Sequence, residues 1–350
     1  MFRSLFRRLV QWFRAPHQSQ EKSNMPRRIL SGVQPSGKLH LGNYFGAVKQ
    51  HIALQDEAEC FYFIADYHAL TTIQDPALLR ENTLDVALDY LALGLDPAKA
   101  VFFRQSDVPE VTELTWILST VTNMGLLERA VSYKEKTEKG IEASVGLFSY
   151  PVLMAADILI YRSHLVPVGK DQVQHIEMTQ DMAGKFNRAF TEVFPIPNFR
   201  LDKESKVPGT DGQKMSKSYG NAIEIFAEGK PLQKTVMSIK TDSKPLGTPL
   251  DPASCNVYAL YGLFATDAEK AGLADRYRSG AIGYGEAKKL LLEKIDAYFG
   301  PARQKRKELA ANPSYVEDVM CQGAKRAGAE AQQTMALVRE AVGMKARSVG

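Results

Sequence analysis

The chain is short of cysteine, lacks any metal-ligand spacing and has no long apolar run, and each shortage removes a class of function. Cys60, Cys255 and Cys321 are scattered and odd in number, so no disulfide framework is expected and a reduced, cytoplasmic compartment is. No CxxC or HExxH spacing links them to the six histidines, so no protein-held metal is expected. No apolar stretch over residues 25–350 is long enough to span a bilayer, and no repeat or low-complexity tract occurs. One-signed charge is also scarce, the net being +4. That excess sits at two places. Residues 1–24 carry Arg3, Arg7, Arg8, Arg14 and Lys22 against Glu21, and residues 240–350 hold 17 basic against 13 acidic residues. A basic C-terminal part joined to a mildly acidic remainder suits contact with a polyanion.

What is present suffices for a large core: 350 residues, 45% of them hydrophobic, predict two domains or lobes. Residues 1–24 stand apart. Phe2, Leu5, Phe6, Leu9 and Phe13 recur at helical spacing with arginines on the other faces. The segment reads as a basic amphipathic helix, a transit peptide that would redirect the chain to an organelle, or a disordered extension before a start at Met25. No apolar stretch with a small-residue cleavage site follows it, so secretion is not expected.

From Arg28 the pattern alternates. Residues 28–33, 60–66, 100–104 and 165–169 read as short buried strands, although Pro167 weakens the last. Helices are expected from about Gly42 to Gln55, from Pro76 to Leu93 and through residues 109–163. From about Ile239 the pattern is helical without strands. The fold class is therefore α/β, a Rossmann-like parallel sheet with a helical insertion, followed by an all-helical C-terminal domain. The expected domains are residues 25–238, catalytic, and 239–350, helical.

Two segments carry phosphate chemistry. Gln34-Pro35-Ser36-Gly37-Lys38-Leu39-His40-Leu41-Gly42-Asn43 leads from a strand into a helix, whose N-terminal N–H groups bind anions readily. His40 can donate there to an anionic oxygen, and Gly42 leaves room at the backbone. Lys214-Met215-Ser216-Lys217-Ser218 follows a run of turn formers, and its two lysines can close over a triphosphate. A KxxK loop alone reads better as a solvated surface, and it is the serines and the intervening Met215 that make this match narrow.

Together and in this order the two segments resemble the ATP motifs of class I aminoacyl-tRNA synthetases, written HIGH and KMSKS. KMSKS matches at all five positions, whereas Leu41 and Asn43 depart from the first pattern. The fuller stretch from Gln34 to Asn43 is similar to that of the tryptophanyl-tRNA synthetases, as is Tyr150-Pro151-Val152-Leu153-Met154-Ala155-Ala156-Asp157-Ile158-Leu159. The resemblance covers almost all of residues 28–345. It implies catalytic roles for His40, Lys214 and Lys217. It places ATP against Gln34, Pro35, Ser36, Gly42, Asn43, Gly169, Lys170, Asp171, Val207, Lys214, Met215, Ser216, Lys217 and Ser218. Tryptophan would meet Asp157, which can accept the single indole N–H, with Tyr150, Met154, His68, Gln172, Val166 and Val168 around it.

The resemblance also implies ATP with Mg²⁺ as substrate, tRNA(Trp) and L-tryptophan as partners, and a homodimer near the helix at Asn123–Arg129, Tyr133 and Lys134–Lys136. Arg303, Lys305, Arg306 and Lys307 would belong to an anticodon-side surface. Tyrosyl-tRNA synthetase is the nearest rival. A synthetase paralogue that binds RNA without charging it, and a non-tRNA nucleotidyltransferase, are rivals of other classes.

Overall fold

The computed structural model describes residues 27–131, 133, 144–201, 207–242, 244, 245 and 247–345. The N-terminal extension and Lys134–Lys136 lie outside them. Five strands, β1 (Arg28–Val33), β2 (Glu59–Ile64), β3 (Ala100–Arg104), β4 (Leu165–Val168) and β5 (Asn198–Leu201), form one parallel sheet in the order β3-β2-β1-β4-β5. The chain order reverses between β1 and β4. Adjacent loops there leave toward opposite faces, and a crevice opens outside the strand ends. Pro167 is tolerated in β4, where it pairs with Arg200 of β5.

The unbroken apolar runs of the strands have a simple cause, which is that both sheet faces are covered. Ile29, Cys60, Tyr62, Ile64, Ala100, Phe102 and Leu165 face one core. Their alternates Leu30, Phe61, Phe63, Val101, Phe103, Val166 and Val168 face the other. β5 escapes sequence reading because it is an exposed edge with a single partly buried residue, Phe199.

Helix α1 starts at Leu41–Asn43, passes through a π turn at Tyr44–Val48 and ends at Lys49–Leu54. It is followed by α2 (Asp66–Ala69) and α3 (Pro76–Ala92), the latter capped by Asp75 and closed at Gly94, whose φ of 110° suits only glycine. The single helical stretch expected over 109–163 is interrupted. It comprises α4 (Glu110–Val121), α5 (Met124–Leu127) and α6 (Val145–Ile160), with residues 132 and 134–143 between the last two outside description. Ser144 caps α6, so Pro151 lies inside the helix rather than at its start. Then come α7 (Val173–Ala189), α8 (Gly229–Met237), α9 (Asn256–Tyr261), α10 (Asp267–Arg278), α11 (Tyr284–Ala310) and α12 (Pro313–Ala341).

Beyond Ile239 the described residues contain no strand. These helices nevertheless share their apolar cores with the sheet. Ile295 and Phe299 of α11 join the core of β1 and β2, and α12 lies along β3. Gly323 makes that approach possible, because a Cβ there would stand 1.8 Å from the Phe102 carbonyl oxygen. The basic run of α11 is therefore only partly an open surface: Lys305 and Lys307 are exposed, but the two arginines are turned inward. Arg303 is buried, Arg306 pairs with Asp85 and Asp89, and Lys307 pairs with Glu228.

Candidate active site

The crevice between β1 and β4 holds a cavity of about 470 Å³. Leu30, Gly32 and Gln34 of the β1 exit line one side, and Val166, Val168 and Gly169 of the β4 exit line another. Tyr150, Met154, Asp157 and Ile158 of α6 close it, together with His68, Gln172 and His175. Its size suits a small ring-bearing ligand. All seven residues expected around the amino acid thus meet in one place.

Asp157 is 2% exposed and takes three hydrogen bonds. Gln105 Nε2 donates to Oδ1 at 2.8 Å and to Oδ2 at 2.9 Å, and the His68 Nε2 lies 3.0 Å from Oδ2. Burial pushes the Asp157 carboxyl above its usual range, and the His68 and Gln105 contacts oppose that push. A carboxylate accepts at about four lone-pair sites, so Oδ1 keeps one for a ligand donor. Gln105 is itself aimed by the Tyr67 N–H, which donates to its Oε1 at 3.1 Å. Sequence reading missed Gln105, since a lone glutamine after a strand carries no pattern. His175 was missed too; its Nε2 meets the Tyr150 hydroxyl, while its buried Nδ1 has no protein partner.

At the β4 exit, Lys170–Gln172 form a turn that leads into α7. The Gln172 amide donates to Asp171 Oδ2 at 2.8 Å. Lys170 and Asp171 are exposed at the rim and do not line the cavity.

The first ATP segment is built by its own capping. His40 Nδ1 accepts the Asn43 N–H at 3.3 Å, and Asn43 Oδ1 accepts the His40 N–H at 3.1 Å. This reciprocal box accounts for the asparagine that departs from the generic motif. Burial and the nearby Lys217 lower the His40 pKa to about 4, so the ring is neutral at physiological pH. With Nδ1 accepting, its proton sits on Nε2, the nitrogen left free to donate. Gly42 leaves room for the same ring, because a Cβ there would lie 3.0 Å from His40 Cε1 and 3.4 Å from Met215 Cβ and would press the ring aside.

The second segment is folded against the first. Leu41 N–H donates to the Ile223 carbonyl at 3.0 Å, and Ile225 N–H donates to the Leu39 carbonyl at 3.1 Å. Lys217 Nζ donates to the Ser36 carbonyl at 2.9 Å, and burial holds its pKa below the usual lysine range. Asn221, 2% exposed and not anticipated, holds the loop from within. Its Oδ1 accepts the Ser216 N–H at 2.8 Å, and its Nδ2 donates to Asp211 Oδ1 at 2.8 Å and to the Lys214 carbonyl at 3.1 Å. Ser216 and Ser218 hydroxyls meet at 2.9 Å, and the Lys214 side chain is exposed. Val207 and Met215 point into the core, and the Met215 N–H donates to the Val207 carbonyl at 3.0 Å, so the Val207 side chain does not line the cavity. Pro35 is buried at the turn. Among the described residues no group of three or more His, Cys, Asp or Glu could hold a metal ion.

The geometry agrees with what known proteins share with this chain. The family described as tRNA synthetases class I (W and Y) matches residues 22–300. The tryptophan–tRNA ligase of Rhodopirellula baltica is 55% identical over 319 residues, covering 91% of this chain and all of the relative. That of Fusobacterium nucleatum is 54% identical over 320 residues, 91% of this chain and 98% of the relative. The solved tryptophanyl-tRNA synthetase of Campylobacter jejuni, complexed with ADP and tryptophan, superposes with a TM-score of 0.87 at 50% identity. It covers 91% of this chain and 100% of the other. The chain belongs to the class I aminoacyl-tRNA synthetases, in the tryptophanyl-tRNA synthetase family of ATP-dependent tRNA ligases.

Proposed function

We propose that the crevice described above is where the chain activates L-tryptophan with ATP and then charges tRNA(Trp). The observation that carries the reading is a buried carboxylate with one free lone pair in the wall of a cavity that Gln34 of the first ATP segment also lines. Asp157 accepts the indole N–H, while Met154, Val166 and Val168 cover the ring. Tyr150 and Gln172 stand where the α-ammonium group would enter.

A carboxylate is already a nucleophile, so the first step needs no general base and rests on positioning and charge. The tryptophan carboxylate attacks the α-phosphorus, the bond to the bridging oxygen breaks, and pyrophosphate leaves with the electron pair. His40 Nε2–H, Lys214 and Lys217 face the developing charge, and each preorganised donor of this kind contributes roughly 10²–10³ in rate. Gln34, Ser36, Gly169 and Asp171 flank the path between cavity and loop and serve the nucleotide. Mg²⁺ bound to triphosphate oxygens would neutralise part of their charge.

The second step passes the acyl group to the terminal adenosine of the tRNA, with the basic helical region from Ile239 onward on the anticodon side. A homodimer fits the exposed Trp116, Met124 and Val145 on α4, α5 and α6. A cytoplasmic setting fits the free thiols and the lack of any described helix able to cross a membrane. Pyrophosphate–ATP exchange with each of the twenty amino acids tests the reading. Exchange with tryptophan alone is expected. Exchange with tyrosine alone would refute the substrate, and no exchange at all would point to an RNA-binding paralogue.

A further inference from the structure

Two arginines one turn apart on α11 lie outside the cavity and yet reach both ATP arms. Arg303, 3% exposed, donates from Nε to the Ile225 carbonyl at 2.8 Å and from Nη1 to Asp296 at 2.6 Å. Arg306 donates from Nε to Asp89 and from Nη2 to Asp85, each at 2.6 Å, and its guanidinium lies 5.1 Å over the Phe226 ring. Asp89 belongs to α3, is 2% exposed and lies beside the Leu39 backbone N–H. Leu39 in turn accepts the Ile225 N–H. The path runs from Arg303 to Ile225, from Ile225 to Leu39, past the Leu39 backbone to Asp89 and from Asp89 to Arg306, and α11 itself joins its two ends into a ring.

This ring contains the residue that precedes His40 and a residue that follows the lysine loop. Burying guanidinium and carboxylate groups is costly, and apolar side chains of similar volume would pack α11 at least as firmly. What apolar packing would lack is direction. The forked guanidinium fixes its acceptors in plane and at set spacing.

We infer that Arg303 and Arg306 are positioning residues for adenylate formation: through Leu39 and Ile225 they set the separation of His40 from Lys217. The inference rests on the reading of His40 and Lys217 as groups that handle the triphosphate. It also makes α11 a lever, because RNA that shifts this helix would move both arms together.

The test compares Arg306→Met, Lys217→Ala and the double variant in pyrophosphate–ATP exchange, with tryptophan binding followed by equilibrium dialysis. Arg306→Met should lower kcat on the order of tenfold to a hundredfold, the usual effect of a small misplacement. Tryptophan affinity should hold within about twofold, since the ring does not line the cavity. The double variant should lose less than the product of the two single losses, because the arginine acts in part through that lysine. Losses that multiply independently overturn the inference, as does an equal loss of tryptophan affinity and kcat. Should Arg306→Met fail to fold, Asp85→Asn at the half-buried end of the pair takes its place: a lower kcat at constant tryptophan affinity supports the inference, and an unchanged kcat overturns it. Full exchange in Lys217→Ala would sink the ATP-site reading and this inference with it. Full exchange in Arg306→Met alone would sink only the inference.

Discussion

Replacing Asp157 with asparagine removes one negative charge and almost no volume, so it isolates the electrostatic part of tryptophan recognition. Three donors converge on this side chain in the proposed complex: Gln105 Nε2, His68 Nε2 and the indole N–H. Asparagine offers one oxygen with two lone pairs and an NH₂ that can only donate. The His68 contact can survive by a change of tautomer, with Nε2 accepting from the new NH₂. The Gln105 amide and the indole must then share a single neutral oxygen. A hydrogen bond to a charged acceptor contributes about 1.5–3 kcal/mol and a neutral one about 0.5–1.5, so the expected loss is about 1–2 kcal/mol. That corresponds to roughly a five- to thirtyfold higher tryptophan KM. ATP KM should stay constant, since Asp157 lies in the cavity wall, which the lysine loop does not line. Steady-state pyrophosphate exchange at varied tryptophan and varied ATP measures both. A tryptophan KM unchanged within experimental error would refute the indole assignment, and parallel rises in both KM values would point to a general distortion.

Other substitutions probe the scaffold of the site. His40→Asn keeps an N-capping side chain and should slow exchange by roughly 10²–10³. Its pH behaviour has a definite sign. The folded pKa of about 4 lies below the ordinary 6.5, so stability from His40 is complete above pH 6.5 and is lost as pH falls through 4. The loss is on the order of 3 kcal/mol, and His40→Asn should show a shallower fall in Tm over that window. Asn221→Ala leaves the Ser216 N–H, Asp211 and the Lys214 carbonyl without their shared partner, and calorimetry of ATP binding should show about tenfold weaker affinity with tryptophan affinity retained. Gly323→Ala must lift α12 from β3, so chemical denaturation should register a loss of about 3 kcal/mol or more; a loss below 1 would mean that the contact is softer than its geometry implies.

The buried strands and the two motif segments are legible in the sequence because both rest on local signals. Apolar runs bounded by turn formers gave β1 to β4, and β3 at Ala100–Arg104 agrees residue for residue. β5 gives no such run, since an edge strand half open to water needs little apolar surface. The cavity residues of α6 could be grouped because Met154 and Asp157 recur at helical spacing. What ties them to partners far along the chain could not. Gln105 and Arg306 act across long separations, and Asn221 within its own loop, through hydrogen bonds that leave no periodicity behind. The inward turn of Arg303 and Arg306 on α11 escaped notice for the same reason, because a run of Arg and Lys looks identical whether water or Asp89 neutralises it.

The seat of α12 on β3 has a consequence for how the chain is made. β3 is an outer strand of the sheet, and its cover comes from residues 313–341. During synthesis at about 5–20 residues per second, roughly ten to forty seconds separate the two. Throughout that interval the nascent sheet presents a bare, strongly apolar strand, the kind of edge that templates pairing between chains. A ribosome stalled before Pro313 would release a product whose site residues are all present but whose β3 edge stays adhesive.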